Sequence, residues 1–234
     1  MSVELLKDWL LASTNTVVLT GAGMSTESGI PDFRSASGLW RGVDPRTVAS
    51  VEALERNYEL FRSFYQQRIE ALEQCVPHKG YKILAAWQKR GLISFIATQN
   101  VDRFHEAAGA VNVQELHGNI TTIRCRDCNR PRELAAFLVG DVCLDCGGKL
   151  RPNVVLFGEM LPNEAWQKSL QAIEQADLVL VIGTSLEVYP VNQLPAMTQG
   201  KLVYINLETA NERGFDLVLQ GRAGEILAQV DSLL

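Results

Sequence analysis

Val17-Val18-Leu19-Thr20 is an unbroken apolar and β-branched run that stops at Gly21-Ala22-Gly23. A strand whose consecutive residues are all apolar is covered on both faces, and strands covered on both faces belong to parallel sheets. Residues 93–97, 178–182 and 201–205 repeat the pattern. Between the runs lie stretches with helical spacing, at about 51–72, 78–89, 164–175 and 224–233. Strands alternating with helices predict an α/β fold, a doubly wound parallel (Rossmann-like) sheet with helices on both faces. A chain of 234 residues, 47% hydrophobic and 21% charged, has room for one such core and small inserts.

Two segments interrupt the alternation. Residues 38–72 open with turn formers and continue as helix, which reads as a helical insert. Residues 120–150 are rich in Cys, Arg, Asp and Gly and hold too few apolar side chains for a core of their own. That second segment carries Cys125, Cys128, Cys143 and Cys146 as two Cys-x-x-Cys pairs, and only Cys75 stands apart. The spacing is that of a zinc ribbon, in which two knuckles converge on one tetrahedral ion. Four thiolates leave no open coordination position, so the ion would stabilise a fold; the competing reading is two redox-active pairs. The expected division is 1–37, 73–119 and 151–234 for the sheet domain, 38–72 for the helical insert and 120–150 for the zinc module.

A glycine-rich turn after a buried strand is either a plain turn or a nucleotide phosphate site, where backbone N–H groups and a helix N-terminus meet the phosphate. The third glycine of the dinucleotide fingerprint is absent, because Thr26 stands in its place. An acidic residue at the end of an evident second strand, which an ordinary dehydrogenase needs, is absent as well.

The continuation through Ser25, Glu27, Gly29, Pro31, Asp32, Phe33 and Arg34 resembles the sirtuin signature, of bacterial or archaeal type. Further blocks follow in that family's order: Thr98-Gln99-Asn100-Val101-Asp102, Glu115-Leu116-His117-Gly118, the cysteine pairs, Val154-Val155-Leu156-Phe157-Gly158-Glu159, Gly183-Thr184-Ser185 and Ile205-Asn206. The resemblance implies an NAD-dependent enzyme that removes acyl groups from protein lysines, with NAD as co-substrate and one structural zinc. It implies that Gly21, Ala22, Gly23, Thr26, Gly183, Thr184, Ser185, Asn206 and Ala223 hold the phosphates and adenosine half. Phe33, Arg34, Gln99, Asn100, Val101 and Asp102 would surround the nicotinamide side, with Asn100 and His117 catalytic. In the family the acyl oxygen attacks the ribose carbon as nicotinamide leaves, and the matching histidine takes a proton from a ribose hydroxyl. Read without the family, Asp102 is a helix cap and His117 a structural histidine. Val154, Val155, Phe157, Gly158 and Glu159 would seat the lysine peptide on an edge strand, or simply be a strand of the sheet.

Tyr65 and Arg68 share a helix face at their spacing, as a plain amphipathic surface or as a clamp for a terminal carboxylate. The pair looks like the one by which a sirtuin subgroup takes succinyl- and malonyl-lysine, although Ile30-Pro31-Asp32-Phe33 has the form typical of deacetylases. A second departure is Pro77-His78-Lys79-Gly80-Tyr81, where Tyr81 replaces the family's histidine and its hydrogen bond must be made differently. ADP-ribose transfer onto protein is the alternative activity of the same site. The net charge of −5, without a basic block, predicts neither nucleic-acid nor membrane partners. The opening residues read as an amphipathic helix rather than a signal peptide, so the expected location is cytoplasmic.

Overall fold

The computed structural model describes residues 2–33, 38–39, 42–208 and 213–234. Six parallel strands form the main sheet: β1 (Thr16–Thr20), β2 (Phe95–Thr98), β3 (Val113–Glu115), β7 (Leu178–Ile182), β8 (Lys201–Asn206) and β9 (Leu217–Gln220). Their spatial order is β3-β2-β1-β7-β8-β9, with Val18 opposite both Ile96 and Leu180. The chain winds outward from β1 through β2 and β3, then returns to the other side of β1 and winds outward again. The sheet is thus doubly wound, as the apolar runs predict.

Strand periodicity assigns the two faces. Val18, Leu180 and Val203 pack with Leu6 and Leu10 of α1 (Ser2–Ala12), Leu84 and Trp87 of α5 (Lys79–Lys89), and Leu227 and Val230 of α9 (Ala223–Asp231). Their neighbours Val17, Leu19, Val179 and Val181 face the other way, onto Ile173 of α8 (Asn163–Glu174) and Leu194. Every residue of β1 and β7 is buried, because each side chain has a helix over it. At about 25 cal/mol per Å² of apolar surface, this two-sided burial is the main stabilising term of the domain.

A second core lies beside the sheet. Helices α2 (Pro45–Val48), α3 (Val51–Arg56) and α4 (Tyr58–Glu73) pack on a small antiparallel sheet of β4 (Gly118–Cys125), β5 (Pro131–Arg132) and β6 (Leu150–Val154), with α7 (Leu134–Val139). Phe61, Tyr65 and Ile69 of α4 meet Ile120, Ile123, Phe137 and Leu150 in one cluster. The helical insert and the cysteine-bearing segment therefore share a core, which neither has residues enough to build alone. The helix expected over 51–72 is broken at Asn57, whose backbone closes α3 by donating to Ala53 O.

The helix that follows Gly21 is a 3-10 helix, Ala22–Ser28. One local expectation changes. The edge strand expected over 154–159 ends at Val154. Beyond it, Leu156 to Glu159 is a tight turn: Glu159 N–H donates to Leu156 O at 2.9 Å, and Gly158 has φ +95°. Among the described residues no helix is long and apolar enough to cross a membrane.

Candidate active site

In an open parallel sheet, ligands bind at the carboxyl ends of the strands where the winding reverses. Here that point lies between β1 and β7, and the two turns that follow them are pressed together. Gly21 N–H donates to Ile182 O at 3.0 Å and Gly23 N–H to Gly183 O at 2.8 Å. A Cβ on Gly21 would sit 2.5 Å from Thr184 Cβ, and one on Gly183, which has φ +64°, would sit 2.2 Å from Met24 N. The role of these glycines is close approach of two backbones. Gly21 N–H is taken by Ile182 O of β7 and Gly23 N–H by Gly183 O just beyond it, so these two N–H groups are not free to meet a phosphate.

Above this junction opens a cavity of about 630 Å³. It runs along the strand ends, from Gln99, Asn100 and His117 after β2 and β3, past Ala22, Gly23, Thr26, Thr184 and Ser185, to Asn206 and Ala223 beyond β8 and β9. Phe33 lines it as well. Most residues expected around a dinucleotide are thus brought together. Glu187, Leu207, Glu208, Gly221 and Arg222 also line it and were not anticipated. The signal for the last two was a second strand, glycine and helix succession: β9, Gly221, then α9. Arg34 lies outside the described residues.

The chain has three histidines, and their surroundings separate their roles. His78 caps α5: its Nδ1 accepts from Gly80 N–H at 3.0 Å, and its Nε2 donates to Met24 O at 2.7 Å. His105 is wholly buried against Thr20, and burial first, then His78, drives its pKa down to about 3, so it stays neutral. Only His117 faces the cavity. Its Nδ1 donates to Gln99 O at 3.2 Å, since a carbonyl can only accept, which leaves Nε2 as a bare lone pair. Burial lowers its pKa and the Gln99 bond pulls the other way, with a net lowering. A half-buried imidazole held in one neutral tautomer is equipped to take a proton.

Asp102 and Val101 do not line this cavity. The Asp102 carboxylate turns inward, its Oδ1 accepting from Phe104 N–H at 2.9 Å and its Oδ2 from Ser25 Oγ at 2.7 Å. It holds the first N–H of α6 (Phe104–Ala107) from one residue before the cap position, Arg103, which is near to the helix-cap reading available without any family. Burial raises its pKa against those hydrogen bonds. Val101 packs toward the second core, and its carbonyl accepts from Ile120 N–H at 3.0 Å.

The 154–159 segment is fixed on both sides. Val155 N–H donates to His117 O at 2.9 Å, and Phe157 N–H donates to Ala49 O at 2.9 Å. Glu159, expected to touch substrate, instead binds the buried Arg151 guanidinium through both oxygens at 2.5 and 3.0 Å and accepts from Leu156 N–H at 2.8 Å. Val154 is buried, while Phe157 and Gly158 are exposed. Arg68 lies over three rings, 5.4 Å from the centre of Phe33, 5.5 Å from Phe64 and 5.7 Å from Tyr65. Its contact with Phe33 places it behind the cavity wall.

Cys125, Cys128, Cys143 and Cys146 converge, with ligand atoms all within 4.8 Å of one another. The pairs Cys125–Cys146 and Cys128–Cys143 are 3.5 and 3.6 Å apart. A tetrahedron with Zn–S bonds near 2.3 Å requires about 3.8 Å between sulfurs, so the four thiols fit one zinc ion. Arg132 donates to Cys143 Sγ at 2.9 Å, a charge-assisted bond that favours the thiolate there, and Asp145 holds the guanidinium in place.

Residues 21–190 match the Sir2 family. The chain is 47% identical over 232 residues to the NAD-dependent protein deacetylase 1 of Geobacillus kaustophilus (strain HTA426), covering 97% of this chain and 96% of that one. It is 40% identical over 233 residues to the NAD-dependent protein deacylase of Pyrococcus abyssi (strain GE5 / Orsay), covering 94% and 93%. A Sir2 structure with deacetylated p53 peptide and 3'-O-acetyl ADP-ribose superposes with a TM-score of 0.94 at 35% identity, covering 100% of this chain and 98% of that one. A Sir2 complex with p53 peptide and NAD+ gives 0.90 at 35% identity, with the same coverage. The chain belongs to the Sir2 family, the sirtuins.

Proposed function

We propose that the protein removes acyl groups from lysines of protein substrates at the expense of NAD, that it works in the cytoplasm, and that its acyl range includes succinyl and malonyl. The observation that carries the first part is His117: one neutral tautomer, Nε2 without a partner among the described residues, at the end of a dinucleotide-sized cavity across the sheet's switch point. NAD supplies a sugar carbon made electrophilic by its nicotinamide leaving group. The chain's part is to bind, to orient and to accept a proton. Nε2 of His117 takes that proton from a sugar hydroxyl, while Gln99 O holds the ring by Nδ1. The backbone of 154–158, tied to His117 and to Ala49, offers the exposed Phe157 and Gly158 to the peptide; Glu159 acts behind it through Arg151.

The acyl range rests on Tyr65 and Arg68. Among the described residues neither side chain makes a hydrogen bond or an ion pair, so the guanidinium donors and the phenol are available to an acyl carboxylate. Burial raises the Tyr65 pKa to about 12 against the pull of Arg68, so the phenol remains a donor at any working pH. A planar guanidinium beside a phenol suits a carboxylate by charge-assisted bonds.

A panel of acetyl-, succinyl- and malonyl-lysine peptides, assayed with and without NAD, tests the proposal. Strictly NAD-dependent release of nicotinamide and an acyl-ADP-ribose product is expected. Label from NAD retained on protein would instead indicate ADP-ribose transfer, and turnover without NAD would end the deacylase reading.

A further inference from the structure

Two asparagines stand at the two ends of the cavity, Asn100 and Asn206, and each leans on a buried tyrosine. Counting hydrogens fixes how each amide is turned. At the first end, Asp102 accepts from Ser25 Oγ, which uses the only proton of that hydroxyl. Tyr81 Oη, 2.7 Å from Ser25 Oγ, must then be the donor between them. Both oxygens have lone pairs left, and both accept from Asn100 Nδ2, at 3.0 Å for Ser25 and 3.2 Å for Tyr81. The amide nitrogen therefore points into the protein and Oδ1 away from this node.

The second end repeats the arrangement with different residues. Tyr204 Oη donates to Thr184 O at 2.8 Å, so it can only accept from Asn206 Nδ2, also at 2.8 Å. A second bond from the same nitrogen, 2.7 Å to Glu208 O, confirms which atom is nitrogen. Again the amide nitrogen is consumed by the protein and Oδ1 is left. Neither Tyr81 nor Tyr204 lines the cavity, and each hydroxyl proton is spent on a protein acceptor, so both act through the asparagines.

Resting on the dinucleotide reading of the cavity, we propose that Tyr81 and Tyr204 are positioning residues that set two carbonyl acceptors, Asn100 Oδ1 and Asn206 Oδ1, for the hydroxyls of two sugars. Asn100 serves the sugar beside His117, and Asn206 the sugar at the far end. A ribose hydroxyl is a donor that needs such an acceptor, and an amide flipped the other way would oppose donor to donor. Tyr81 is thereby the chain's own answer to the histidine missing at that position: a hydroxyl that accepts from Asn100 and donates to Ser25 at once.

Calorimetric binding of ADP-ribose and of ADP to the zinc-loaded protein separates the two ends, since ADP lacks the second sugar. Tyr81→Phe keeps the ring packing and removes one hydroxyl; it is expected to weaken ADP-ribose by about tenfold and to leave ADP within about twofold. Ser25→Ala cuts the same node from its other side and is expected to give the same pattern should Tyr81→Phe fold poorly. Tyr204→Phe is expected to weaken both ligands alike. Equal ADP-ribose binding by wild type and both node variants would overturn the proposal, as would a parallel loss of ADP in Tyr81→Phe and Ser25→Ala. Wild-type protein that binds neither ligand would instead overturn the dinucleotide reading itself.

Discussion

His117 Nδ1 donates to the backbone carbonyl of Gln99, 3.2 Å away, and this one bond decides which ring nitrogen is the base. Protonation of Nε2 removes the lone pair, so activity must fall as pH drops through the His117 pKa. Burial places that pKa below the ordinary histidine value. The acid limb of kcat/KM should therefore lie at lower pH than an exposed histidine would give, with activity kept into mildly acidic buffer. His117→Ala should lose roughly 100-fold or more in kcat. A pH–rate profile of the wild type whose acid limb lies above the ordinary histidine range would remove His117 from this role.

Zinc is expected to act on the active site through packing alone. Cys125 and Cys143 belong to the same apolar cluster as Tyr65 and Ile69, and that cluster carries α4 and with it Arg68. One zinc per chain should be found by atomic absorption. Chelation should lower Tm by roughly 10 °C or more, because a four-thiolate ion supplies folding energy to a segment with little core. Cys128→Ser should do the same in the absence of chelator. Full activity in a zinc-free protein of unchanged Tm would contradict this coupling.

Arg68→Met keeps a long side chain against Phe33 and Phe64 and removes the charge. Turnover of succinyl-lysine peptide should drop by about tenfold or more, as expected for loss of a charge-assisted pair, while acetyl-lysine turnover stays within about threefold. Tyr65→Phe should show the same preference at smaller size. Equal losses on both peptides would mean that the guanidinium supports the wall rather than the acyl group.

The sequence was most readable where burial is two-sided. β7 matches the run 178–182 residue for residue, and β1 and β8 differ from the apolar runs at their ends only, since each residue there answers to one demand. The edge strands β3 and β9 were missed because they are short and part-buried, so polar residues such as Gln114 and Gln220 break their pattern. The four cysteines were legible because spacing alone makes a knuckle. The expected peptide strand past Val154 was not, because Glu159 satisfies Leu156 N–H and Arg151 from a distance that sequence does not measure. Tyr81 was visible only as a mismatch; its function emerges when α5 brings it to Ser25 and Asn100.

Asp177 gives a stability test far from the chemistry. It lies on the surface between α8 and β7, and its carboxylate accepts from Thr14 N–H at 2.8 Å, Thr14 Oγ1 at 2.7 Å, Asn15 N–H at 3.2 Å and Ser13 Oγ. These bonds pin the link between α1 and β1. Desolvation opposes ionisation, yet the hydrogen bonds outweigh it and bring the pKa from 3.8 to about 2. A carboxylate depressed by folding stabilises the native state above its unfolded pKa, and that contribution disappears as pH falls through the folded value. Because the group is exposed, the shift is discounted for solvent, leaving roughly 1 kcal/mol for Asp177→Asn at neutral pH, or a few degrees in Tm. Urea unfolding of wild type and Asp177→Asn over a pH series should show the gap at neutral pH and its closure between 3.8 and about 2. A gap that persists unchanged at the acid end would show that Asp177 holds the loop by shape and not by charge.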